Sequence, residues 1–220
     1  MARKAGKSND TQAAGTLIAA AGVLLFIPFL IISVISFSKL KNEYLGNEAV
    51  QRVVDIRRLL PSLITGGGVC AAGAFFINAY INEIIQKGIS FAPVLIIISV
   101  GVSVLTVGYF LARRLAVMNL GVVADSSKNI LVFPYDLQSY TITDYLAFRF
   151  VHDICNVDTV PLASIEKMTR GSRGKDLYLH GAFGSRGITM SSKQKRDECL
   201  AMVQSFAGKK GMLITEMEGY

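Results

Sequence analysis

The sequence predicts a helical membrane protein of about three spans joined to a C-terminal α+β domain, and three observations carry that reading. Residues 13–37, 59–82 and 88–112 hold no charged side chain. A run of about 18 or more apolar residues is long enough to cross roughly 30 Å of hydrocarbon as a helix. Charged residues make up only 18% of the chain, against roughly a quarter in soluble domains, and the deficit lies in the first half. After Arg114 the texture changes from continuous apolar to alternating and turn-rich, as in a small soluble domain. The predicted organisation is a membrane part over 1–114, with spans near 13–37, 60–85 and 90–112. A basic α+β domain follows over 115–210, and 211–220 is a tail.

The first span, LIAAAGVLLFIPFLIISVISF within Ala13–Phe37, follows a basic start with Arg3, Lys4 and Lys7. Its length exceeds the 7–15 or so apolar residues of a signal peptide, and no A-x-A site follows it, which predicts a retained span. Pro28 removes one helical hydrogen bond there and predicts a kink. The second span is rich in small residues. Gly68 with Ala72 forms a small-xxx-small pair, and Gly73 adjoins it, so these three are candidates for close helix packing, within the chain or between copies. The third span starts near Pro93, where proline costs least, and ends at Arg113 and Arg114. No span carries an ionisable residue away from its ends, which disfavours a transporter or channel.

Lysine and arginine set orientation. The N-terminal tail has three, the 38–59 loop five, the loop between spans two and three only Lys87, and the C-terminal part fourteen. Placing the 38–59 loop and the C-terminal domain in the cytoplasm keeps most of these inside. The N-terminal tail then lies outside, unless the first apolar run is re-entrant. Within 38–59, NEAVQRVVDIRRLL reads either as a basic amphipathic helix on an anionic leaflet or as a helical extension of span two.

In the C-terminal domain, Leu120–Ala124 and Ile130–Tyr135 flank the turn-favouring DSSKN and read as a hairpin. The stretch TITDYLAFRFVHDICNVDTV is open between strand and helix. VPLASIEKMTR, DLYLHGAF and RGITMSS read as three strands, and Leu177 and Leu179 alternate with Tyr178 and His180 as in a sheet with one wet face. In SKQKRDECLAMVQSFA, Cys199, Leu200, Val203 and Phe206 fall at helical spacing, with Ser191 and Gln194 as a capping box. Five or more antiparallel strands followed by one helix resembles the layout of pleckstrin-homology-like domains, which implies an antiparallel sheet closed by a C-terminal helix.

The chemistry-bearing residues are few. His152 and Cys155 lie three apart, too little for a nucleophile and base without a third orienting group. No metal-ligand spacing and no phosphate-loop or nucleophile-elbow motif occurs, and GAFGSRG reads as a hairpin turn. No enzyme, metal or cofactor is expected. The informative feature is basic: Arg170, Arg173 and Lys175 in one loop, Arg186 in the next, and Lys193, Lys195 and Arg196 opening the helix. These form a candidate rim for anionic membrane lipid or an acidic protein partner. Without interleaved aromatics, direct nucleic-acid binding is not expected.

The short basic start MARKAGKSND, the apolar spans and the basic segment GSRGITMSSKQKRDECL together resemble the inner-membrane entry-exclusion proteins of I-complex conjugative plasmids. The resemblance implies a non-enzymatic, multi-pass protein of the bacterial inner membrane. Such a protein recognises a membrane component of a donor's conjugation apparatus and blocks redundant DNA transfer into a plasmid-bearing cell. The alternative is a structural or scaffold subunit of a bacterial envelope or secretion complex, with a lipid- or protein-binding domain. Self-association is a further partner expectation.

Overall fold

A computed structural model describes residues 3–46, 48–136, 140–147, 153–171, 174–206 and 214–216, with backbone only for 3–19, 145 and 214–216. The chain divides into two compact units. One comprises Met1–Ser33 and Pro61–Ala112, and the other Val34–Leu60 and Arg113–Tyr220.

The first unit is helical. It holds most of α1 (Arg3–Tyr44), α2 (Leu59–Lys87) and α3 (Phe91–Leu120). All three contain stretches long and apolar enough to cross a membrane, Ala20–Tyr44, Ile56–Lys87 and Phe91–Leu120, with mean hydropathies of 2.6, 1.6 and 2.5. The chain is a membrane protein on this basis. The helix α1 continues through Pro28 without interruption, as one helix and not a re-entrant pair. Val23, Leu24, Ile64 and Ile98 are exposed, as expected of helices that present apolar side chains to lipid. The hydroxyl of Ser103 donates to the Ser99 carbonyl at 2.8 Å, so it is satisfied within its own helix.

The second unit is α+β. It contains β1 (Val50–Val53), β2 (Val122–Asp125), β3 (Ile130–Pro134), α4 (Ile142–Leu146), β4 (Val157–Pro161), β5 (Ile165–Arg170), β6 (Asp176–Gly181), β7 (Gly184–Thr189), α5 (Lys193–Phe206) and β8 (Ile214–Glu216). Two four-stranded sheets form, in the orders β1-β2-β3-β4 and β7-β6-β5-β8. Every pair is antiparallel except β5 with β8. One core joins both sheets and the helix. Leu131 and Phe133 of the first sheet, Leu177, Leu179 and Ile188 of the second, and Cys199 and Val203 of α5 belong to the same buried cluster. Tyr178 and His180 are only half-buried, so the alternation expected of DLYLHG is observed.

Several expectations are corrected. The 38–59 segment is neither an amphipathic surface helix nor an extension of span two. The first helix runs on to Tyr44, then β1 pairs with β2 in the register Val50↔Asp125 to Val53↔Val122. Only a short 3-10 turn, Ile56–Arg58, precedes α2. The second unit therefore includes Val34–Leu60, so the division between the units falls inside the 1–114 stretch. The third helix does not stop at Arg113 and Arg114. It continues about two turns to Leu120, and Gly121 (φ +71°) takes the left-handed conformation that ends it. VPLASIEKMTR is two strands, β4 and β5, divided by a 3-10 turn at Leu162–Ser164. Within the 211–220 tail lies β8.

The first hairpin is as expected. Asp125 Oδ1 accepts bonds from Ser127 N at 2.9 Å and Lys128 N at 3.1 Å across the DSSKN turn. The continuous apolar run at β2 also has a cause, because this sheet is covered on both faces. Val122 and Ala124 join the main core, while Val123 and Val132 pack with Leu120, against Leu40 and Tyr44 from the end of α1.

Candidate binding surface

The candidate basic rim falls into groups with different surroundings. At its centre, Arg196 is almost fully buried, its side chain 8% exposed. Its Nη1 donates to the Gly174 carbonyl at 2.7 Å, and its Nε and Nη2 donate to Asp197 Oδ1 at 3.0 and 2.7 Å. Arg170 Nη2 reaches the same carboxylate oxygen at 3.6 Å. Lys193 lies with its stem over Gly174, where a Cβ would stand 2.7 Å from Lys193 Cε. Arg170, Lys193 and Arg196 thus converge on the turn between β5 and β6, with Asp197 among them. Arg196 acts there as a clamp of α5 onto the turn and is too buried to be a contact residue.

Arg186 and Lys195 have partners outside that group. Arg186 on β7 pairs with Asp158 on β4 at 3.0 Å, and Lys195 pairs with Glu198 along α5 at 2.6 Å. Lys175 is exposed. Arg173 lies outside the described residues. Such partly exposed pairs contribute only about 0–1 kcal/mol each, and they moderate the positive field of the rim.

The sequence missed Asp55. It is 5% exposed, and its carboxylate accepts from Ser191 N at 2.5 Å and Ser191 Oγ at 2.6 Å. The segment between spans one and two therefore holds the start of the last helix, across 136 residues of sequence. The expected capping box shifts by one residue. Ser191 is taken by Asp55, while Ser192 caps α5 by accepting from Lys195 N at 3.2 Å. Val54, Asp55, Ile56 and Arg57 line a cleft of about 370 Å³ together with Ser191, Ser192, Gln194, Lys195 and Glu198. The isolated acid in VVDIRR, between a strand and a basic pair, was the available signal. Nothing local in the sequence indicated its partner.

The remaining candidates have structural settings. His152 lies outside the described residues. Cys155 and Cys199 are buried, and burial raises both thiols, Cys199 to about 12, with Arg113 and Arg114 opposing the rise at Cys155. Neither is poised as a nucleophile. GAFGSRG forms the expected hairpin, with Gly181 paired to Gly184 around Ala182 and Phe183. Among the described residues, no group of three or more His, Cys, Asp and Glu side chains is placed to hold a metal ion.

His180 Nε2 lies 2.8 Å from Thr169 Oγ1. Its pKa is lowered by burial and then by the nearby Lys167 charge. The folded state therefore holds fewer protons than the unfolded one as pH falls through the ordinary histidine range near 6.5. Stability present above that range should be lost as pH drops towards His180's lowered value. Thermal melts of the detergent-solubilised protein across this window should show the slope in the wild type and a flatter profile in His180→Gln.

On α2 the candidate packing residues separate. Gly73 is buried, and a Cβ there would stand 2.5 Å from Val104 Cγ2 of α3. Gly68 meets nothing within 4 Å, and Ala72 is exposed. The intrachain contacts fall instead at Gly73 and at Gly66, whose Cβ would meet the Phe29 ring of α1 at 2.8 Å. Gly73→Leu should overpack the helices by about 1–3 kcal/mol, lowering the melting temperature in detergent. Gly68→Leu should leave it unchanged.

No family model, curated protein or solved structure matches the chain.

Proposed function

We propose that the chain is a three-crossing protein of the bacterial inner membrane whose soluble unit is cytoplasmic and pleckstrin-homology-like. It works by recognition and not by catalysis. Its role is entry exclusion, blocking redundant conjugative transfer by recognising a donor transfer protein. The observation that supports the topology is the pairing of β1 with β2. Residues 50–53 precede α2 and residues 122–125 follow α3, so a shared sheet requires both on one side of the bilayer. The loop carrying Lys87 then lies on the other side, as does the start of the chain. The distribution of lysine and arginine favours the cytoplasm for the side holding the sheet. Two largely antiparallel sheets and a helix sharing one core support the pleckstrin-like assignment. A small domain continuous in sequence with three apolar helices suits a receptor for a membrane-delivered partner.

A mating assay tests the role. Recipients expressing the chain alone should show a large drop in transfer of related conjugative plasmids and none for unrelated ones. Exchange of the soluble unit between related proteins should exchange specificity only when 34–60 moves together with 113–220. Unchanged transfer of both plasmid sets would sink the exclusion role and favour the envelope scaffold.

A further inference from the structure

Two large apolar side chains in the soluble unit stand in the open. Ile142 and Leu146 are 80% and 74% exposed, one turn apart on α4. A five-residue helix is marginal by itself, yet this one is firmly started. Thr141 N and Oγ1 donate to Asp144 Oδ2 at 3.1 and 2.7 Å, and Asp144 N donates back to Thr141 Oγ1 at 3.3 Å. This is a reciprocal cap. The base of the connection is also held, by a hydrogen bond from the Tyr140 hydroxyl to Asp153 and by Tyr135 packed edge-on to Tyr140, with ring centroids 6.2 Å apart. The spacing of four residues puts Ile142 and Leu146 on one face.

The sheet register says from which end of the sheet the connection carrying that face leaves. Val53 pairs with Val122, Val123 with Val132, and Pro134 with Val157. Val53, Val122, Pro134 and Val157 therefore stand at one end of the first sheet. The other end carries Val50, Asp125, Ile130 and Pro161. The first end is where the chain leaves for α2, just beyond Val53, and arrives from α3, just before Val122. In sequence it is the end that adjoins both of these apolar helices. The connection from β3 to β4, which carries α4, emerges from this end and no other. Asp136, at its beginning, lies in Coulombic range of Arg58, and Cys155, near its close, in range of Arg113 and Arg114. In sequence those arginines flank the start of α2 and the last turns of α3.

We propose that α4 is an interfacial anchor: Ile142 and Leu146 insert at the boundary between headgroups and acyl chains of the membrane that the spans cross. Exposed aliphatic side chains on a capped helix, in a connection whose two ends lie in Coulombic range of Arg58, Arg113 and Arg114, match the chemistry of an anionic lipid surface. The anchor would fix the tilt of the soluble unit on the bilayer, beyond what its helix ends impose. The inference rests on the spans crossing a membrane and is independent of the exclusion role.

The test uses the full chain in phosphatidylethanolamine–phosphatidylglycerol vesicles. Ile142→Cys, Leu146→Cys and, at the far end of the sheet, Ser126→Cys each receive an environment-sensitive nitrobenzoxadiazole label. The native cysteines are buried, so background labelling is low. At 142 and 146 the emission should be blue-shifted, quenched severalfold more by lipid-borne nitroxide than at 126, and protected from iodide. Emission at 142 and 146 as red and as iodide-sensitive as at 126 would overturn the proposal. A blue shift that lipid-borne nitroxide fails to quench would also overturn it, since a protein surface would then be the cover. Two independent label positions guard against one variant failing to fold.

Discussion

Asp55→Ala is expected to release α5 from the rest of the soluble unit and to lower its stability by about 2–4 kcal/mol. The carboxylate is buried and accepts two short bonds from one residue, Ser191. Hydrogen bonds to a charged group contribute roughly 1.5–3 kcal/mol each, and a buried donor left unsatisfied costs about 1–3 kcal/mol. The two bonds share an acceptor group and do not add fully. Ser191→Ala removes only the hydroxyl bond and should cost about 1 kcal/mol, while Asp55→Asn keeps one acceptor and should fall between. Against a typical domain stability of about 5–15 kcal/mol, the alanine variant should be visibly weakened. Hydrogen exchange along 193–206 should accelerate in Asp55→Ala far more than in Ser191→Ala. Equal protection in all three variants would mean that the bond across 136 residues does not hold the helix.

Gly121→Ala should cost a similar amount, about 2–4 kcal/mol, by a different route. Gly121 has φ +71°, a conformation that strains any residue with a Cβ by roughly 1–3 kcal/mol. The new methyl would also meet the backbone carbonyl of Val53. That carbonyl belongs to β1, so relief requires the strand to move away from β2 or α3 to end elsewhere. The strain and the overpacking act at the same joint. The expected result is early melting of the soluble unit and protease cleavage within 45–60. Gly88→Ala, also at positive φ but with nothing within 4 Å, should show only the strain.

The membrane character, the hairpin at DSSKN, the alternation in DLYLHG and the terminal helix were legible because each rests on local pattern. Continuous apolar runs, turn residues and spacing of side chains all act over a few positions. What escaped the sequence depends on distant partners. Val50–Val53 reads as part of a loop until β2 is known to lie beside it. The double burial of Val123 hides the period-two signal, because the end of α1 covers the face that would otherwise be wet. Arg196 read as one more surface cation in a basic cluster, yet its guanidinium closes the turn at Gly174. Gly68 and Ala72 carried the small-xxx-small pattern, whereas the helices meet at Gly66 and Gly73. Composition identifies small residues but not the face on which a neighbour sits.

The central claim is that 34–60 and 113–220 form one unit on one side of the membrane, with the loop after α2 on the other. Single cysteines at Ala49, Ile89 and Ser126, treated in intact cells with a membrane-impermeant maleimide, test it directly. Ile89→Cys should react from outside, whereas Ala49→Cys and Ser126→Cys should react only after lysis. Labelling of positions 49 and 126 from opposite faces of the membrane would contradict the account, because strands β1 and β2 could not then share a sheet.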